Sequence, residues 1–104
     1  WRSRWLVIIE GQRVDNLTRI EFDLLFYLML NIDIVLSRQQ IYENVWKNTF
    51  AYEIDDTVKC HVNTLRKKIR CYMAEEIVET VIGVGYKISS RTYEQLSFDK
   101  VAFA

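Results

Sequence analysis

The chain has 104 residues, half of them hydrophobic, and balances 14 Lys and Arg against 14 Asp and Glu with a single His, for a formal net charge of zero. That composition fits an ordinary globular domain with one core and excludes a disordered, low-complexity or uniformly basic chain. A chain of this length buries about two-thirds of its unfolded surface, so folding needs neither a metal nor a disulfide. Cys60 and Cys71 would lie about 16 Å apart on the one helix expected there, too far to bridge. With one His and no Cys-x-x-Cys or His-x-x-x-His pair, no metal site is expected. No cofactor and no small-molecule ligand are expected either. No apolar run approaches the roughly 20 residues that span a bilayer, and Trp1-Arg2-Ser3-Arg4 lacks the organisation of a signal peptide. The expectation is a cytoplasmic domain with no membrane partner, cut from a longer protein because it starts at Trp1 rather than Met.

The first elements are short. Trp5 to Ile9 is an apolar, β-branched run, followed by Glu10-Gly11 and Gln12-Arg13-Val14, which reads as two strands around a turn. Thr18 with Glu21 then makes a capping box, flanked by Leu17 and Phe22 as a hydrophobic staple. A helix follows, with Ile20, Leu24, Leu25 and Leu28 on its apolar side and Asn31 as its end. The device repeats at once: Ser37 pairs with Gln40 and Leu36 with Ile41, opening a second helix over residues 38–47 whose buried side holds Ile41, Val45 and Trp46.

After Lys47 comes a loop with Glu53, Asp55 and Asp56, either Asp being suited to cap a third helix. Val58, Val62, Leu65, Ile69 and Tyr72 give that helix, over about residues 56–73, a core stripe. Residues 77–82 and 86–88 are β-rich runs joined by Gly83-Val84-Gly85, a hairpin whose turn needs glycine. The fold class is therefore α+β: short N-terminal antiparallel strands, three helices and a C-terminal hairpin, within a domain over residues 1–90. Residues 91–104 form an extension whose alternation is too loose to assign.

The zero net charge is unevenly spread. Lys59, Arg66, Lys67, Lys68 and Arg70 follow one another without an acid between them, while Glu53, Asp55 and Asp56 precede them and Glu75, Glu76 and Glu79 follow. On a helical wheel Thr57, Cys60, His61 and Thr64 fall within about 100° of one another on one flank of the core stripe. Short, mostly uncharged side chains bordered by cations suit a helix in a DNA major groove, where the backbone must approach base edges and cations meet phosphates. The plainer alternative is a solvated basic face. No nucleophile–base pair, metal set or phosphate loop can be assembled, which argues against an enzyme. Gly83-Val84-Gly85 lacks the further glycine and the following helix of a dinucleotide site.

These motifs, taken together, resemble the OmpR/PhoB-type winged-helix DNA-binding domain, the output domain of many bacterial two-component response regulators. The resemblance is carried by Leu17-Thr18 with Glu21-Phe22 and Leu24-Leu25, by Val35 to Ile41 with Val45-Trp46, by Thr57-Val58 with His61-Val62 and Leu65 to Ile69, and by Thr80-Val81 with Gly83 to Lys87. It implies a winged helix-turn-helix with the third helix in the major groove, the hairpin as a wing at the minor groove, and dimers on direct repeats. It implies base reading by Thr57, Cys60, His61 and Thr64, and backbone contacts from Arg66, Thr80 and Tyr86; the remaining cations Lys59, Lys67, Lys68, Arg70 and Lys87 are read from their charge as further backbone anchors. Ile82, Gly83, Val84 and Gly85 would form the wing, and the loop at residues 48–54 would be a contact for RNA polymerase.

The chain departs from its relatives where they commonly carry cations: Asp56 precedes the Thr-Val pair, Asn63 and Thr64 stand at often basic positions, and Ile82 replaces the usual wing Arg. Each neutralised phosphate contributes about −0.9 to the salt slope of binding, so the resemblance implies weaker, less salt-sensitive binding here. Asp56 and Ile82 also sustain a rival reading, a winged helix adapted to protein–protein interaction.

Overall fold

The computed structural model describes residues 7–9, 11–47, 53–74, 76–90 and 101–103, the last three as backbone alone. Strands β1 (Val7–Ile9) and β2 (Gln12–Val14) pair antiparallel through a turn at Gly11, where φ is +79°. The expected positions Trp5 and Leu6 lie outside the described residues.

Helix α1 (Arg19–Leu30) begins on the anticipated box: the Thr18 hydroxyl accepts the Glu21 N–H at 3.2 Å, and the Thr18 N–H donates to Glu21 Oε1 at 2.8 Å. Strand β3 (Leu36–Ser37) leads directly into α2 (Arg38–Val45), whose Ser37–Gln40 box closes at 3.1 and 2.9 Å. Helix α2 stops two residues before the expected end, since Lys47 takes a left-handed φ of 57° that cannot continue a helix.

Helix α3 (Ile54–Arg70) starts earlier and ends earlier than its stripe indicated. Its cap is neither Asp. Glu53 holds that position at φ 58° with no side-chain cap bond, and Asp55 and Asp56 sit inside the first turn, where they still favour the positive end of the helix dipole. Tyr72 lies beyond the helix and is half-buried rather than part of the stripe.

Strands β4 (Val78–Val81) and β5 (Gly85–Ile88) form the hairpin, with Ile82 in the turn and not in the strand. The backbone of β6 (Val101–Phe103) is the described part of the C-terminal extension and pairs antiparallel with β1. The result is two three-stranded sheets, β2-β1-β6 and β3-β5-β4. One core joins them: Leu24, Leu25 and Leu28 of α1, Ile41, Tyr42 and Val45 of α2, Val58, Val62, Leu65 and Ile69 of α3, and Val78, Tyr86 and Ile88 of the hairpin.

The hairpin turn is closed by the Val84 N–H on the Val81 carbonyl at 2.9 Å, with Gly83 at φ +80° in its third position. Gly85 is constrained for a different reason. A Cβ there would stand 1.9 Å from the Leu36 carbonyl oxygen, so the backbones of β3 and β5 meet where no side chain fits.

Gly85→Ala is expected to cost about 3 kcal/mol or more by overpacking at the backbone, read as a lowered urea midpoint. Gly11→Ala, whose Cβ would point into open space, is expected to lose only about 1 kcal/mol, the cost of a left-handed residue.

Candidate nucleic-acid interface

Helix α3 and the hairpin form one surface because Arg66 ties them together. Its Nε and Nη2 donate to the Val78 carbonyl at 3.2 and 2.7 Å, and Nη2 also donates to the Thr80 hydroxyl at 2.8 Å. The guanidinium lies 5.6 Å from the centre of the Tyr86 ring, and Glu76 approaches Nε at 3.8 Å. The Arg66 side chain is only 14% exposed. It was expected to meet a phosphate; the structure makes it a clamp between helix and wing. Of the two backbone contacts expected at the wing base, Thr80 is exposed, whereas Tyr86 is 3% exposed and belongs to the core.

Two further cations are also engaged. Lys68 Nζ donates to Glu21 Oε1 at 2.6 Å and to the Asn16 carbonyl at 2.8 Å, so it fastens the end of α3 to the start of α1 rather than reaching outward. Arg70 pairs with Glu76 at 3.3 Å. Glu21 is the buried acid of the described residues. Burial alone would push its carboxyl up, but hydrogen bonds from Lys68 and the Thr18 backbone and the charge of Lys68 outweigh this and hold it below 4.5. Of the five cations of α3, Lys59 and Lys67 are exposed and carry no ion pair among the described residues. Lys87 is half-buried on β5; its charge adds to the Ser90 hydrogen bonds that keep the Asp33 carboxyl below its ordinary value.

The flank predicted to face a groove is a set of two hydrogen-bonded pairs. His61 Nδ1 lies 2.9 Å from the Thr57 carbonyl, and the Thr64 hydroxyl donates to the Cys60 carbonyl at 3.0 Å. A carbonyl only accepts, so Nδ1 carries a proton, and in the neutral tautomer with that proton Nε2 is an acceptor. Thr64 Oγ1 likewise keeps its lone pairs. The His61 and Trp46 rings meet edge to face with their centres 5.0 Å apart, and Trp46, the C-cap of α2, stacks on Tyr42 with centres 5.1 Å apart, so the end of α2 orients the imidazole plane. Cys60 is exposed, while Thr57, His61 and Thr64 are partly exposed.

Between the start of α3 and the wing runs a groove of about 310 Å³, lined by Arg38 of α2, Asp55, Asp56 and Lys59 of α3, and Thr80, Ile82 and Tyr86 of the hairpin. Arg38 Nε contacts Asp55 Oδ1 at 3.1 Å across its mouth. The sequence offers Asp55 only as a helix cap and Arg38 only as part of the Val35 to Ile41 motif; their separation along the chain hid a pairing that only the helix-turn-helix angle creates. Among the described residues no cluster of His, Cys, Asp or Glu could hold a metal ion, and no helix is long and apolar enough to cross a membrane.

Residues 11–88 match the family model described as "Transcriptional regulatory protein, C terminal". The chain belongs to this OmpR/PhoB-type family. As a family member it is 46% identical over 81 residues to the uncharacterized transcriptional regulatory protein YclJ of Bacillus subtilis, a match covering 78% of this chain and 35% of that protein. It is 39% identical over 87 residues to the response regulator ArlR of Staphylococcus saprophyticus, covering 84% of this chain and 39% of the relative. The family domain thus spans 35–39% of the length of those relatives. The DNA-binding domain of RstA from Klebsiella pneumoniae, solved in complex with the RstA box, superposes with a TM-score of 0.67 at 26% identity over 81% of this chain and 82% of that one. The fold is accordingly a winged helix, with the hairpin as its wing.

Arg66→Gln is expected to lower unfolding free energy by about 2–3 kcal/mol, because it leaves charge-assisted bonds to Val78 and Thr80 unmade; urea denaturation reads it. Glu21, whose folded carboxyl lies below its unfolded value, contributes stability that is present above pH 4.5 and lost as pH falls through the lower folded value. Urea midpoints followed from neutral pH to pH 3 are expected to show a shallower acid limb in Glu21→Gln than in the parent.

Proposed function

We propose that this domain binds double-stranded DNA sequence-specifically as the output domain of a bacterial transcriptional regulator of the response-regulator type, with α3 in the major groove and the wing at the minor groove. The observation that carries the reading is the partly exposed flank Thr57-Cys60-His61-Thr64, with Trp46 against His61, Lys67 next to the flank on the helix and Lys59 on the side towards the wing. A relative of the same fold was solved on its own DNA box. In this reading His61 Nε2 and Thr64 Oγ1 act as acceptors and favour the exocyclic amino groups of adenine and cytosine.

Lys59, Lys67 and Lys87 meet phosphates. Thr80 accepts from Arg66, which leaves its own hydroxyl proton for a phosphate oxygen. Arg66 acts by positioning that hydroxyl and the wing, and Lys68 and Arg70 act through the fold. Binding by two copies on direct repeats and contact with RNA polymerase through the loop at residues 48–54 are supported by the family resemblance; residues 48–52 lie outside the described set.

The charge reversals Lys59→Glu and Lys67→Glu together are expected to weaken binding to every duplex and to reduce the salt slope by about 1.8, two phosphate contacts' worth. His61→Ala and Thr64→Ala are expected to keep that slope and change base preference, read by selection from a random duplex pool. Anisotropy titration with random duplex at low salt tests the whole reading: absence of binding there would transfer the surface to a protein partner, the alternative that Asp56 and Ile82 favour.

A further inference from the structure

The wing tip has a composition that phosphate chemistry does not explain. From Val81 to Gly85 every residue is apolar or glycine, so the tip has neither a charge nor a polar side chain. Ile82 at its apex is 92% exposed, and Val84 beside it is 49% exposed. A wing that carries a cation is drawn into a narrow minor groove by its negative potential. This tip has no such handle.

It is nonetheless a stiff element. The turn is closed by the Val84–Val81 hydrogen bond, Gly83 supplies the positive φ, Gly85 is pressed against Leu36, and Arg66 pins Val78 at the far end of β4. Aliphatic side chains on rigid supports enter minor grooves by another route, sliding between neighbouring base pairs and partly unstacking them. Pyrimidine–purine steps open at the lowest energetic cost, and stiff A-tracts resist. Ile82 also lines the same groove as Lys59 and Thr80. A DNA strand whose phosphates met those two groups would run past Ile82, whereas a protein docked on Ile82 would have to share the groove with them.

We propose that Ile82 is an apolar wedge that enters the minor groove beside the half-site, parts one base step, and makes the domain prefer a flexible pyrimidine–purine step at that place. The proposal rests on the DNA-binding reading and adds a specificity determinant to it. Because Ile82 is 92% exposed, Ile82→Ala and Ile82→Arg are expected to melt with the parent.

The test uses a duplex selected by the parent domain from a random pool, remade in two forms that differ only in the step under the wing: TA in one, AA within an A-tract in the other. 2-Aminopurine placed at the step reports unstacking. The parent is expected to bind the TA form about fivefold more tightly, the scale of burying part of one aliphatic side chain, with a rise in fluorescence. Ile82→Ala is expected to lose both the preference and the rise while still binding random duplex. Ile82→Arg is expected to prefer the A-tract and to steepen the salt slope by about 0.9. A preference or fluorescence rise that persists in Ile82→Ala overturns the wedge and leaves DNA binding standing, with the tip then free to serve a protein partner. Failure of the parent to bind any duplex overturns the DNA reading and the wedge together.

Discussion

The working surface depends on one guanidinium. Arg66 leaves α3, crosses to the hairpin and gives two hydrogen bonds to the Val78 carbonyl and one to Thr80, with the Tyr86 ring alongside. A carbonyl that accepts from a cation is held more tightly than one in a neutral ladder. The wing angle is therefore set by α3 itself, and the helix flank and the wing tip behave as one rigid body.

Lys68 performs the matching task at the other side of α3. Its bonds to Glu21 and Asn16 hold the start of α1 to the end of the helix, and the same Glu21 closes the capping box with Thr18. A motif that looks purely local is thus also a tertiary anchor. Removing either partner would leave a charge with few compensating groups, a costly outcome for a buried acid. These two engagements, with Arg70 on Glu76, give three of the five cations of α3 an acidic partner within the fold. The basic run is in good part a structural feature.

What the sequence discloses follows from the range of each interaction. Both capping boxes join residues three apart, so Thr18–Glu21 and Ser37–Gln40 were readable as written. The stripe Val58, Val62, Leu65 and Ile69 and the flank Thr57, Cys60, His61 and Thr64 follow from helical periodicity and lie where it puts them. Strands β3 and β6, of two and three residues, are too short to show a period, and their pairing with β5 and β1 is decided by the rest of the fold. Long basic side chains escaped the wheel for a similar reason: it gives a direction from the helix axis but not the partner, and Glu21 stands 47 residues from Lys68. Gly85 was recognisable as necessary, but its reason, the Leu36 carbonyl, belongs to a strand the pattern did not reveal.

The pairing of β1 with β6 has a mechanical side. Val7 lies opposite Phe103, and Ile9 opposite Val101, so the outer ends of the two strands leave the sheet at the same edge. Tension applied between them would peel the ladder one rung at a time, the weak direction for hydrogen-bonded strands, instead of shearing all rungs together.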